Sequence, residues 1–308
     1  MKNITIVMYH YVRDIKNSKY PGIKGLEFSK FKKQLDYLEK NFNIISPKDF
    51  LKKEFPEKSC LLTFDDGLKD HINYVFPELK KRKLKGFFFP PAAPIVENNI
   101  LDVHAIHYIL ATNNNYKDLV NLLDTICIDL GISEADLKKY KIKYLRKTDA
   151  YDPKEITYFK RMLQHVLPLE KRETILRFFF ENKLNISVND FSKNFYMNKE
   201  DLVKLTSEEM YLGSHGYRHY WLEKLNYKEQ EKDINQSLEF LKEVGLDMKN
   251  WVMCYPFGSF NSDTIKILNE KKCVYGFTTK EGVADIKMDN LTLPRVDTNE
   301  LPQNSNFI

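Results

Sequence analysis

A chain of 308 residues with 43% apolar and 30% charged side chains is long enough for one large α/β domain or two ordinary ones, and its composition excludes a disordered or fibrous protein. Its 48 basic and 43 acidic residues leave a net charge of +5, too small and too dispersed for a nucleic-acid binder, although it suits a mildly anionic substrate. No apolar run approaches the length of a transmembrane helix, and the opening stretch from Ile4 to Met8 is too short for a secretory core, so a cytoplasmic protein is expected.

Ile4 to Met8 reads as the first core strand, running into Tyr9-His10-Tyr11. The stripe Phe28, Phe31, Leu35 and Leu38 predicts a helix over 27–41, followed by a short strand at 42–45. Ser46-Pro47 has the form of a helix cap with proline in the first turn. Next comes Ser59-Cys60-Leu61-Leu62-Thr63-Phe64-Asp65-Asp66-Gly67, an apolar run ending in two carboxylates and a glycine. It reads as a buried strand that delivers charge to its carboxyl end, although Asp-Gly is also a common turn dipeptide. A helix is predicted over 70–84 with Val75, Phe76 and Leu79 inward and Lys80-Lys81-Arg82-Lys83 at its dipole-favoured end. A strand at 86–89 follows, stopped by Pro90-Pro91, and this rhythm implies a parallel sheet.

From 98 to 198 the pattern is helical, with stripes at 103–111, 116–130, 153–166 and 168–183 and no convincing strand. The segment is expected to be an insertion into a barrel made of 1–97 and 199–308, serving as a lid, a substrate-docking module or a homo-oligomer contact. Its basic stretch from Lys138 to Tyr144 reads as a solvated helix face, with glycan or lipid head-group contact as the alternative. Alternation then resumes with helices over 199–205, 227–244 and 263–271 and strands at 211–213, 251–254, 275–278 and 291–297. The fold class is α/β, a distorted or incomplete (β/α) barrel of about seven parallel strands with a large helical insertion and with its chemistry at the strands' carboxyl ends. Four cysteines without a Cys-x-x-Cys pair predict reduced thiols, Cys60 and Cys254 being small buried hydrophobes in strands.

Two ionised carboxylates side by side are costly unless a cation stands between them or one holds a proton, and a metal ion meets that need at Asp65 and Asp66. Far downstream, Gly213-Ser214-His215-Gly216-Tyr217-Arg218-His219 carries two imidazoles at i, i+4, which predicts both rings on one side of a helical turn. Two histidines and one carboxylate also describe a non-haem iron triad, but that reading leaves the second carboxylate no task and expects a β-rich scaffold. His71, His104, His107 and His165 stand in predicted helices without a ligand-like partner and read as structural.

Together these stretches resemble the polysaccharide deacetylase family, carbohydrate esterase family 4, also called the NodB homology domain. Thr63-Phe64-Asp65-Asp66-Gly67 is similar to its first motif and His215-Gly216-Tyr217-Arg218-His219 to its second. The resemblance covers roughly 1–97 and 199–300 and leaves the helical insertion unexplained. The family's third motif begins with an arginine, whereas the matching place here reads Cys254-Tyr255-Pro256-Phe257-Gly258. That form resembles the circularly permuted branch acting on poly-N-acetylglucosamine, in which the Leu-x-His histidine comes from the first strand. Met8-Tyr9-His10 matches that histidine, and no Leu-x-His stands near the carboxyl end.

The resemblance implies a metal-dependent hydrolase that removes an acetyl group from an N-acetylated sugar, with an O-acetyl carbohydrate esterase or a non-catalytic carbohydrate-binding relative as alternatives. By position, Asp65 is the base, and Asp66, His215 and His219 hold a divalent ion, Zn2+ first, with Co2+ or Ni2+ as alternatives. The backbone N–H at Tyr255, beside Pro256, is implied as an oxyanion donor, and His10 as the acid that protonates the leaving amine. Arg295, in Leu293-Pro294-Arg295-Val296, is expected to replace the missing motif arginine and pair with Asp65. Trp221, in Tyr220-Trp221-Leu222, offers an apolar wall for the acetyl methyl or sugar face, and core packing explains that trio equally well. The substrate is expected to be a lipid-linked or nucleotide-linked N-acetyl sugar, an intermediate of surface glycan assembly.

Overall fold

A computed structural model describes residues 3–146, 152–246, 248–285 and 287–302. Contacts divide the chain into two units, one of Met1–Lys16, Gly25–Asn98 and Ser192–Ile308, the other of Asn17–Lys24 and Asn99–Phe191. Asn17–Lys24 clusters with the helical residues, a contribution that its sequence pattern does not announce.

The first unit is built on seven parallel strands: β1 (Asn3–Tyr9), β2 (Ser59–Asp65), β3 (Phe87–Phe89), β4 (Tyr211–Leu212), β5 (Val252–Cys254), β6 (Tyr275–Glu281) and β7 (Leu293–Asp297). They lie in the order β4-β3-β2-β1-β7-β6-β5. The row also meets itself. Beyond β4, Ser214 forms an isolated parallel bridge with Met253 of β5: its N–H donates to Val252 O at 2.9 Å, and Cys254 N–H donates back to Ser214 O at 2.8 Å. The predicted distorted barrel is therefore the observed architecture, its weakest seam being that single bridge.

Period-two alternation sorts the strand residues into two layers. Val7, Tyr9, Cys60, Leu62, Phe64, Phe88 and Leu212 pack with helix residues such as Phe31, Leu35, Leu79, Ile234 and Leu241. Ile4, Ile6, Leu61, Phe87, Phe89, Val252, Cys254, Tyr275, Phe277 and Leu293 pack with one another as the barrel interior. All of β2 is buried, as expected of a strand covered on both faces. Thr63 and Asp65 follow Leu61 on its inward face, and Arg295 follows Leu293, so the interior turns from apolar to charged toward the carboxyl ends. The register of β7 on β6 slips between Leu293 and Arg295, where Pro294 supplies no N–H.

One predicted helix takes a different form. The stretch read as a helix over 70–84 begins as a π-turn, His71–Val75, and becomes α-helical at Phe76–Arg82. Pro77 cannot donate to a carbonyl one turn back, and Phe76 N–H reaches His71 O across the wider ring.

The second unit has its own core. Helices Asp102–Ala111, Tyr116–Asp129, Glu134–Tyr144, Lys154–Arg161 and Leu169–Leu184 bury Ile106, Leu123, Cys127, Phe159, Ile175 and Phe179. Tyr158 Oη donates to Asp124 Oδ1 at 2.8 Å, and Lys141 Nζ lies 2.6 Å from Asp124 Oδ2. The basic stretch thus forms a helix whose buried residue is Leu137 and in which Lys139 and Lys141 are ion-paired, with Asp136 and Asp124. No helix among the described residues is long and apolar enough to cross a membrane.

Gly213 stands at the barrel seam, where an added Cβ would lie 2.4 Å from Phe89 Cε1 and 2.7 Å from Val252 Cγ2. Overpacking of this kind costs about 1–3 kcal/mol. Gly213→Ala is expected to lose that much stability in urea unfolding, and a variant as stable as the parent would show that the seam has slack.

Candidate active site

Asp65 ends β2 inside the barrel mouth and is 1% exposed. Arg295, also 1% exposed, grips it with a fork: Nη1 donates to Oδ1 at 2.9 Å and Nη2 to Oδ2 at 2.7 Å. The remaining guanidinium bonds go to Thr63 Oγ1 at 3.0 Å and, from Nε, to Thr278 O at 2.8 Å. Burial pushes the Asp65 carboxyl up, but the charge of Arg295, followed by that of His10, outweighs it and brings the group down to about 2. Cys254 Sγ approaches Asp65 Oδ2 at 3.4 Å. This cysteine, read from sequence as a plain buried hydrophobe, thus faces the charged pair.

Asp66 turns the other way. Its φ of 76° is left-handed, a conformation costing a non-glycine residue about 1–3 kcal/mol, and it separates the two neighbouring carboxylates. Asp66 Oδ1 lies 3.4 Å from His215 Nε2 and 3.4 Å from His219 Nε2. All three residues are buried, and their donor atoms fall within 4.8 Å of one another. Donors held at about 2.0–2.2 Å around a tetrahedral ion stand about 3.4 Å apart, so the observed spacing fits a divalent cation. His215 Nδ1 lies 2.8 Å from Cys254 O, and a carbonyl only accepts. The proton therefore sits on Nδ1, which leaves the Nε2 lone pair for a metal. Asp65, His215 and Cys254 also form a donor cluster, but Arg295 already occupies both oxygens of Asp65.

The expectation of a helical turn between the histidines is corrected here. Residues 213–221 form no helix, and the two imidazoles come together on a loop in which Gly216 and His219 have φ of 69° and 58°. Two left-handed residues bend the chain back, so that the ring centroids stand 4.7 Å apart.

His10 follows β1, with Nε2 3.7 Å from Asp65 Oδ2 and its side chain 38% exposed. Its backbone is held from below. His71 Nε2 lies 3.0 Å from His10 O, while Asp70 accepts from Val12 N–H at 3.2 Å and Arg13 Nε at 2.7 Å. Burial drives the His71 pKa down to about 4, so the ring is neutral and donates from Nε2.

Tyr255 requires a second correction. Its N–H donates to Phe277 O at 3.0 Å in the sheet, and its hydroxyl to Leu291 O at 2.7 Å, so it has no free donor for an oxyanion. Pro256, buried, has none either. The next N–H, that of Phe257 in left-handed backbone of φ 58°, has no hydrogen-bond partner among the described residues. The Phe257 ring meets His219 edge-on at 4.6 Å and stacks on Trp221 at 4.6 Å and 12°. Trp221 is thus part of an aromatic platform beside His219, while Leu222 is core.

A family model described as polysaccharide deacetylase matches residues 52–121 and 153–276. The chain belongs to the polysaccharide deacetylase family. Solved structures agree in fold. The Streptococcus pyogenes deacetylase PplD, solved in complex with acetate, has a TM-score of 0.56 at 17% identity, covering 96% of this chain and 92% of that one. IcaB from Ammonifex degensii gives 0.55 at 19% identity, over 97% and 92%, and a de-N-acetylase from Aggregatibacter actinomycetemcomitans gives 0.55 at 14%, over 96% and 94%. A search of curated proteins gave no match.

The matched residues of this deacetylase-family chain include Asp65, Asp66, His215 and His219 but neither His10 nor Arg295. Sequence reasoning missed three further residues at the site. Cys254 was hidden by its ordinary strand context, His71 by its helical one, and Phe257 because a backbone donor leaves no side-chain signal. Proline before it was the available clue, since it shifts the first free N–H to Phe257.

Removing one partner of a buried ion pair costs about 3–5 kcal/mol, and Arg295→Met is expected to show that loss in urea unfolding at pH 7. Asp65 is depressed in the folded state, so the pair's contribution is complete above the ordinary carboxylate range and is lost as pH falls through about 2. Without Arg295, burial leaves the Asp65 carboxyl of the variant raised, so the stability gap between parent and variant should begin to narrow above the ordinary carboxylate range and go on narrowing as pH falls through about 2. A gap that stays constant would mean the pair does not set it.

Proposed function

We propose that this protein is a metal-dependent hydrolase that releases acetate from an N-acetylated sugar of a polysaccharide or of its precursor. The observation that carries the reading is the division of labour between adjacent carboxylates, Asp65 gripped by Arg295 and Asp66 aimed at two imidazole nitrogens. A non-catalytic relative would need neither a buried fork on Asp65 nor a proton fixed on His215 Nδ1. Family membership supports the substrate class, and the de-N-acetylase among the similar structures supports nitrogen as the acyl carrier. His10, supplied by the first strand, is the arrangement implied by the permuted poly-N-acetylglucosamine branch.

Asp66, His215 and His219 would hold the ion, with Zn2+ as the first choice for a His2Asp donor set. When bound, it supplies Lewis acidity, polarising the acyl carbonyl and acidifying a water. Asp65 accepts the proton of the attacking water, and Arg295 keeps that carboxylate ionised and fixed in orientation. Phe257 N–H takes the developing oxyanion in place of the expected Tyr255 N–H. His10, 3.7 Å from Asp65, gives a proton to the nitrogen as the C–N bond breaks, so that one water and one amide become acetate and a free amine. Trp221 and Phe257 offer a flat apolar face to the sugar ring or the acetyl methyl.

The test is acetate release from N-acetylglucosamine oligomers and from O-acetylated xylan by chelator-treated protein, with and without added Zn2+. Zn2+-dependent release from the N-acetyl substrate is expected, with Asp65→Asn lowering it about 100- to 10,000-fold while still binding the ion. Asp66→Ala should lose the ion itself. Release that is indifferent to Zn2+, or confined to the O-acetyl substrate, would overturn the proposal.

A further inference from the structure

His215 and His219 sit on a loop without regular structure, so something other than a helix must fix the distance between them. The helix Tyr227–Glu243 presents Asp233 and Ser237, one turn apart and both buried. Asp233 Oδ2 accepts Tyr217 N–H at 2.8 Å, and Oδ1 accepts Arg218 N–H at 3.0 Å. Ser237 Oγ lies 2.8 Å from Ser214 Oγ, which accepts Gly216 N–H at 3.2 Å. Every N–H between the two histidines is therefore captured, two of them by one carboxylate. From the opposite side, Ala92 and Ala93 N–H donate to Gly216 O and Tyr217 O at 3.3 and 2.8 Å.

The fit leaves no room for a side chain at 216. Gly216 has φ of 69°, and a Cβ there would lie 2.8 Å from Asp233 Oδ2. Removing that Cβ lets the carboxylate reach the two amides that follow, and those amides can reach it only if the backbone folds back at Gly216. The same fold-back returns His219 to the side of His215. The bonds run to the backbone between the two histidines, so Asp233 acts on the loop's shape and not on the rings.

We propose that Asp233, supported by Ser237, is a positioning residue that sets the separation of His215 and His219 and thereby the affinity of the site for its cation. The proposal rests on the reading of Asp66, His215 and His219 as ligands. Its sequence trace is Asp233-Ile234-Asn235-Gln236-Ser237, an i, i+4 pair that the amphipathic reading of the helix leaves unexplained.

The experiment compares the full-length parent, Asp233→Asn and Ser237→Ala, each stripped of metal. Zn2+ is titrated against a chromophoric chelator, and Co2+ is added separately to read coordination from its visible absorption. Asp233→Asn puts an amide N–H2 against a backbone N–H and should weaken Zn2+ binding about 10- to 100-fold, with an altered Co2+ spectrum. Ser237→Ala should shift affinity in the same direction by less. Both effects should exceed any change in the thermal midpoint of the metal-free protein. If the parent binds Zn2+ and both variants bind it equally well with the parental Co2+ spectrum, the positioning role is wrong while the ligand assignment stands. If the parent itself takes up no Zn2+, the ligand assignment falls and this inference with it. Should Asp233→Asn fail to fold, Ser237→Ala decides by the same readings.

Discussion

Two carboxylates on consecutive residues cannot both be left charged in a dry barrel mouth, and the rest of the site follows from how each is compensated. Asp65 belongs to the strand and points inward, where only a buried cation can offset it. Arg295 does so with two of its four bonds, and its own desolvation is offset in return by the carboxylate, Thr63 and a carbonyl. Asp66 belongs to the turn, and its left-handed φ sends it toward His215 and His219. The strain at Asp66 is thus the local cost of giving two neighbours different partners, and it persists because both sets of partners are fixed from elsewhere in the fold.

Parallel strands make this economical. Every β-strand of the barrel ends on the same side, so the residues just past β1, β2, β5 and the β4 seam converge without any long loop. The interior packs as an apolar plug from Ile4 and Leu61 up to Phe89 and Phe277, and only its last layer is charged. Electrostatic interactions in that layer are shielded from water by the layer below. A fork that would be worth little at a surface therefore acts on Asp65 at close to full strength.

Much of this was legible from residues alone, and the parts that were not share a cause. The alternation of apolar strands and helical stripes announced the barrel, because burial on both faces leaves a strong imprint on strands such as Ser59–Asp65. The carboxylate pair and the histidine pair stood out by spacing. The helical turn between the histidines was misread because i, i+4 spacing is a helix signature only when backbone hydrogen bonds are local. Here the N–H groups are taken by a side chain from a helix sixteen positions on, at Tyr217 to Asp233. The Tyr255 donor failed for a related reason: whether an N–H is free depends on the neighbouring strand, and Phe277 claims it. Backbone satisfaction is a tertiary property, so no inspection of one segment reveals it.

His10 and Arg295 carry the argument furthest. They stand near opposite ends of the sequence and outside the residues matched by the family model, yet both reach Asp65. The reason is topological: β1 pairs with β2 on one side and with β7 on the other, through Tyr9↔Phe64 and Val7↔Val296. A barrel has no end strands, so a segment at either terminus lies as close to the centre as one in the middle of the chain. The cluster of Asp66, His215 and His219 can then stay in short contiguous motifs, while the side chains that reach Asp65 are free to enter from any strand whose carboxyl end faces the mouth. Cys254 from β5 and Arg295 from β7 are two such side chains, both reaching Asp65 Oδ2 although they lie some forty positions apart in the chain.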